Sequence, residues 1–201
     1  MLNATSTFNL GTSEGWSTND GLVLLDAGQN GVGDHVVAYT SLAGEGFHEL
    51  NFSNMDFTGD YDAIGAYAFE FDARFVSGAS MNLRVYLLDT TSPTFEGDDF
   101  AVSSQVFDLS SADMNWHHYV VSLDPADVMV VQNSYPRTHI SLLGIRHDPN
   151  GDGPGFNDLV GQTTTVYFDN MVLTAIPEPR AIALVVVGPA ATLYRARRRR
   201  A

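Results

Sequence analysis

The densest run of metal-ligating side chains is Asp148-Pro-Asn150-Gly-Asp152-Gly-Pro-Gly-Phe-Asn-Asp158. Oxygen donors at the first, third and fifth positions with glycine at the sixth open a calcium loop of EF-hand type. Alternate side chains converge on one cation, and the glycine lets the chain turn back around it. The twelfth position is Leu159, where a bidentate glutamate belongs, and Asp158 stands one residue early. If calcium binds here, Asp148, Asn150, Asp152 and Asp158 are its ligands. The same composition also makes a solvated turn between two strands, and the sequence leaves both readings open.

Sugar recognition calls for rings and planar hydrogen-bonding groups on one exposed face. Strand alternation turns Asp72 and Arg74 the same way, and likewise Arg84 and Tyr86. If the two segments pair as a hairpin, these four residues form one candidate ligand face, with Trp16 and Trp116 nearby. The competing reading is that scarce arginines neutralise neighbouring carboxylates on a solvated sheet.

Catalytic patterns are poor by comparison. Glu70-Phe-Asp72 begins like the Glu-x-Asp-x-x-Glu strand of a sandwich glycosidase, but position 75 is Phe. His117 and His118, adjacent on a strand, point to opposite faces and do not share a metal. Neither a Gly-x-Ser-x-Gly elbow nor a phosphate-binding glycine loop occurs. A non-enzyme is expected, with a glycoside hydrolase the remote alternative.

Charge narrows the choice of partners. The 201 residues hold 24 acids and ten arginines, with no lysine and no cysteine. Residues 1–176 carry four arginines against 23 acids, a net charge of −19, which repels a phosphate backbone; no nucleic-acid partner is expected. Without cysteine there is no disulfide, zinc–thiolate site or cysteine nucleophile. Residues 177–201 carry six arginines and one acid, a net charge of +5.

The elements that must position these residues read as strands. Period-two alternation is clearest over 66–76, where Tyr67, Phe69, Phe71, Ala73 and Phe75 share one side, and it resumes over 81–89 with Leu83, Val85 and Leu87. Residues 76–80 read as a hairpin between the two. Further strands are expected over 6–10, 22–26, 35–40, 49–53, 102–107, 117–123, 139–146 and 164–173, with one short helical turn over 124–129. About ten strands with little helix predict an all-β fold, an antiparallel two-sheet jelly-roll sandwich over 1–175, followed by a short hydrophobic helix and a basic tail.

The tail is built in three ordered parts: Pro177-Glu178-Pro179, an uncharged stretch over 181–194, and the cluster Arg195, Arg197, Arg198, Arg199, Arg200. As a helix the 14 uncharged residues span about 21 Å, short of a bilayer core of about 30 Å. The arginines hold the C-terminus on the cytoplasmic side and put the acidic body outside. This arrangement resembles the PEP-CTERM sorting signal of bacterial surface proteins, with departures at Arg180 and Pro189. The resemblance implies recognition and cleavage of 176–201 by exosortase, transient anchoring in the inner membrane, and delivery to the cell surface or extracellular matrix. An exported chain should begin with a basic, then apolar leader. Residues 1–6 read instead as the approach to a strand, and whether a leader was trimmed is left open.

The body also carries Glu14-Gly-Trp16, Gly59-Asp-Tyr61, Trp116-His-His-Tyr119-Val-Val-Ser-Leu123 and Val166-Tyr-Phe-Asp169-Asn-Met-Val-Leu173 in that order. This series resembles laminin-B-type and galactose-binding-like sandwich domains. The resemblance implies a structural calcium ion between the first strands and the last, with Asp169 as a ligand and Asp26 or Asp34 approaching it; a polar contact of Asp169 at the sheet edge is the competing reading. The function expected is that of a non-catalytic surface or matrix component, with polysaccharide binding as the alternative.

Overall fold

The computed structural model describes residues 4–18, 22–41, 49–52, 57–90, 98–147 and 163–175. The calcium loop at Asp148, Asn150, Asp152 and Asp158 lies outside them. So do the tail residues Pro177, Glu178, Pro179, Arg195, Arg197, Arg198, Arg199 and Arg200.

In chain order the strands are β1 (Ala4–Ser6), β2 (Trp16–Thr18), β3 (Leu22–Asp26), β4 (His35–Ser41), β5 (Glu49–Phe52), β6 (Ala66–Gly78), β7 (Met81–Asp89), β8 (Asp99–Ser103), β9 (Phe107–Leu109), β10 (Trp116–Ser122), β11 (Val128–Gln132), β12 (Leu142–His147) and β13 (Thr164–Ala175). One helical turn, α1 (Tyr61–Ile64), precedes β6, and a 3-10 turn, Pro125–Asp127, fills the place expected for a short helix. The strands form two antiparallel sheets. One runs β10-β6-β13-β4-β3, with β1 extending along β13; the other runs β11-β8-β7-β12-β5-β2, with β9 beside β7. The expected two-sheet sandwich is therefore the fold.

The apolar phase of each long strand builds the core between the sheets. β6 supplies Phe69, Phe71 and Phe75, β7 supplies Leu83, Val85 and Leu87, and β13 supplies Val166, Phe168, Met171 and Leu173. Phe71 sits at the centre, its ring 5.3 Å from Tyr119, 5.5 Å from Phe107, 5.7 Å from Phe69 and 6.0 Å from Phe168. Trp16 belongs to this core, 5.6 Å from Phe57, and is no part of an exposed face.

One expected pairing is not made. β6 and β7 do not form a hairpin: they lie in different sheets, and the link between them crosses the sandwich. Gly78 makes the crossing, with φ at +105° and the backbone of Thr163 and Thr164 where a Cβ would stand. Two alternating runs joined by a short glycine-bearing link read alike whether the chain doubles back in one sheet or arches to the other. The true partners of β6 are β10 and β13.

Arg137 closes one end of the sandwich. Its Nη1 donates to the Leu123 carbonyl at 2.5 Å and its Nη2 to the Ala66 carbonyl at 3.0 Å. Its Nε meets Asp62 on α1, and the guanidinium lies 5.6 Å from the Tyr135 ring centroid.

Candidate functional site

The sheet crossing divides the expected ligand face. Asp72 and Arg74 lie on the outer face of the sheet containing β6, whereas Arg84 and Tyr86 lie on the outer face of the sheet containing β7. The four residues therefore occupy opposite sides of the molecule, each with partners of its own.

On the β7 side, Tyr86, Phe100 and Val102 form a second apolar cluster, with Leu88, Met129, Val131 and Leu142 packed against it. The outward face of an antiparallel sheet is ordinarily polar, so this layer is not needed to build the sandwich. The Tyr86 and Phe100 rings stand 6.2 Å apart, and the Arg146 guanidinium lies 4.7 Å from the Phe100 centroid and 5.8 Å from that of Tyr86. Arg84 is spent on the backbone: its Nη1 donates to the carbonyls of Ser103 and Ser104 at 2.7 Å each. Asp98, just before β8, is 6% exposed, and its Oδ1 accepts no hydrogen bond from the described residues. Its main-chain carbonyl, not its carboxylate, receives Gln132 and Asn133 from the end of β11. Alternation on from Phe100 turns Asp98 towards the same outer layer.

On the β6 side, register aligns Trp116, Arg74 and Tyr167 in one row across β10, β6 and β13. The next row holds His118, Asp72 and Asp169. His118 bridges two carboxylates, with Nδ1 2.8 Å from Asp72 and Nε2 3.3 Å from Glu70. Asp72 also accepts from Gln29 and Asn170, and Glu70 accepts from Thr174. His117 points the other way, its ring 6.2 Å from Tyr119.

Asp169 sits at a bulge. On β13 it pairs with Asp72, and the next pair, Val172 with Glu70, spends one more residue on β13 than on β6. Asn170 absorbs the extra residue with φ at +49°. The phase slip lets Phe168 and Met171 both face the core while Asp169 is completely buried. Its Oδ1 accepts from the Asn170 amide at 2.7 Å, and its Oδ2 accepts nothing from the described residues. Burial pushes the carboxyl up to about 7. The Asn170 amide opposes that rise, and the nearby charges of Asp34, Asp72 and Glu14 add to it.

Of the two aspartates expected near Asp169, Asp34 is therefore the one whose charge reaches it. Asp26 instead closes its own turn, accepting from the Gly33 amide at 2.6 Å. Gly28 keeps the chain close here, because a Cβ would run into the Asp34 carboxylate. The orphaned Oδ2 and the surrounding carboxylates fit a divalent cation chemically. As placed, no three His, Asp or Glu side chains among the described residues are grouped to hold one.

Several of these positions escape a reading by residue type. Glu14 joins the site through Ser6, whose hydroxyl donates to its Oε2 at 2.5 Å. Arg146 meets Phe100 on one sheet, and Tyr167 meets Arg74 on the other, only through register between strands distant in sequence. Asn170 did leave a signal: the alternation Val166, Phe168, Met171, Leu173 slips by one residue at Asp169-Asn170.

The two antiparallel sheets define the class by fold, a jelly-roll sandwich. Neither a family model nor a curated protein matches the sequence. Solved structures do match the fold. A family 11 carbohydrate-binding module from Clostridium thermocellum, in complex with a β-1,3-1,4-mixed-linked tetrasaccharide, aligns with a TM-score of 0.58 at 10% identity, over 89% of this chain and 99% of that one. The CBM22-2 xylan-binding domain of Paenibacillus barcinonensis Xyn10C aligns with a TM-score of 0.55 at 15% identity, over 86% and 98%. An agarase, AgWH50C, aligns with a TM-score of 0.57 at 11% identity over 87% of this chain and 25% of its own. At these identities the likeness is one of fold.

Proposed function

We propose that this chain is a non-catalytic glycan-binding sandwich of an exported protein, delivered to the cell surface or extracellular matrix through residues 176–201. The observation that carries the glycan reading is the layer outside the core: Tyr86 and Phe100 with Arg146 stacked on them, near Asp98, whose buried Oδ1 accepts no hydrogen bond from the described residues. Flat apolar rings suit the C–H faces of a sugar, and a fixed guanidinium and a spare carboxylate oxygen suit its hydroxyls. The rings themselves are buried, and the half-buried Leu88, Met129, Val131 and Leu142 pack against them, so stacking of a sugar on the rings requires these side chains to move aside.

Affinity electrophoresis of the full chain through gels containing β-1,3-1,4-glucan, xylan or agarose tests this. Retardation by one of them is expected, weakened in Asp98→Asn and Phe100→Ala. Unretarded migration in all three refutes it.

Calcium belongs to the same reading as a structural ion at Asp169. What supports it is the buried, unpartnered oxygen amid other carboxylates. Asp169 would hold the ion, which on binding would satisfy Oδ2 and offset the crowding of charge with Asp34, Asp72 and Glu14. Exosortase processing rests on the Pro177-Glu178-Pro179 pattern, the short apolar stretch and the arginine cluster. Mass analysis of surface-recovered protein tests it, with loss of the residues beyond about 177 expected and an intact tail refuting it.

A further inference from the structure

We propose that the outer face of the sheet containing β6 holds a second glycan site, built from Trp116, Arg74 and Tyr167 and suited to a sugar chain bearing carboxylates. It rests on the reading of the domain as a glycan binder, but it uses the opposite side of the sandwich from Tyr86 and Phe100.

The three side chains form one row by register. Trp116 pairs with Arg74 across β10 and β6, and Arg74 pairs with Tyr167 across β6 and β13. Their chain neighbours Ala73, Phe75, Val166 and Phe168 are in the core, so alternation sends Arg74 and Tyr167 outward, and Trp116 with them. Strands about 4.8 Å apart put the two aromatic residues about 10 Å apart, with the arginine between them. Such a row lets two sugars of an extended chain stack on the rings while a carboxylate between them meets the guanidinium.

Arg74 is the decisive residue. In a body carrying 23 acids against four arginines, its guanidinium meets no carboxylate among the described residues. Its hydrogen bond runs from Nε to the Met114 carbonyl at 2.9 Å, which fixes the plane of the group and leaves Nη1 and Nη2 for a planar, two-oxygen acceptor. The carboxylates in the adjoining row do not compete for it. Asp72 is taken by Gln29, Asn170 and His118, and Glu70 by Thr174 and His118. An arginine that merely neutralises a neighbour would sit against one of them. The general negative charge of the body opposes a polyanion at long range. At physiological ionic strength that field is screened beyond about 8 Å, and the local contact decides.

Calorimetric titration of the full chain with an oligogalacturonate, and separately with neutral xylohexaose, tests the proposal. The oligogalacturonate is expected to bind and to weaken with added salt. Arg74→Gln is expected to weaken it about tenfold or more, as loss of a charged hydrogen-bonding partner does. Arg74→Lys keeps the charge and loses the fork, and should fall in between, and Trp116→Ala should weaken binding. These surface changes should not alter the melting temperature. Equal binding of oligogalacturonate by wild type and Arg74→Gln overturns the proposal. Binding of xylohexaose through Phe100 with no binding of oligogalacturonate overturns this proposal alone. Binding of neither sugar here, nor of any glycan in the gels, overturns the glycan reading itself.

Discussion

Replacing Asp169 by Asn gives the sharpest energetic test of the buried carboxylate. The rise of this group from 3.8 to about 7 is about a thousandfold in proton affinity, or about 4 kcal/mol at about 1.4 kcal/mol per tenfold. The folded value lies above the unfolded one, so between them the native state holds more protons. Without a cation, stability therefore falls as pH rises from about 4 to about 7 and is level above that. At pH 8 in chelator, Asp169→Asn removes the buried charge and keeps an oxygen for the Asn170 amide, but introduces an amide needing a partner, a cost of about 1–3 kcal/mol. The net expectation is a gain of about 1–3 kcal/mol, read as a melting temperature several degrees higher. Calcium should reverse the order. At a hundredfold excess over its dissociation constant it stabilises wild type by about 2.7 kcal/mol, and it should do little for the variant. Melting curves of both proteins at pH 5 and pH 8, in chelator and in calcium, contain the whole test. A wild-type protein that gains stability from pH 5 to pH 8 in chelator, or a variant that responds to calcium as fully as wild type, would refute the reasoning.

Other outcomes follow from particular contacts. Gly78→Ala should cost about 2 kcal/mol or more in chemical denaturation, because the residue sits at φ +105° against the backbone of Thr163 and Thr164; an unchanged midpoint would contradict the crossing between sheets. Phe71→Ala should cost about 3–5 kcal/mol, since its ring touches four others at the centre of the core, and a loss under about 1 kcal/mol would misplace that centre. Removing the Pro177-Glu178-Pro179 motif should leave the polypeptide uncleaved in its native host, read by mass; normal cleavage without it would remove the sorting proposal.

The fold was legible because its physics is local. Phe69, Phe71 and Phe75 alternate with Glu70, Asp72 and Arg74, and a strand with that pattern buries one face whatever its partners are. The ends of β3 and the turn at Pro125–Asp127 were readable for the same reason, from apolar runs stopped by turn residues. Partner choice is not local. Nothing in 76–80 distinguishes an arch from a hairpin, and that one ambiguity joined Arg74 and Tyr86 on a face they do not share. The candidate site suffered most, because it is assembled by register. Trp116 meets Arg74 over 42 positions of sequence, and Tyr167 meets it over 93. Asp169 was found through a resemblance, and its burial follows from a bulge visible only as a one-residue slip in an apolar pattern.

The most direct test of the central claim is equilibrium binding of the full-length chain to β-1,3-1,4-glucan, xylan and agarose, measured beside Asp98→Asn and Phe100→Ala. Saturable binding to at least one polysaccharide, weakened in both variants while their melting temperatures stay above the assay temperature, is the predicted result. No binding to any of them, or binding untouched by both substitutions, would contradict it.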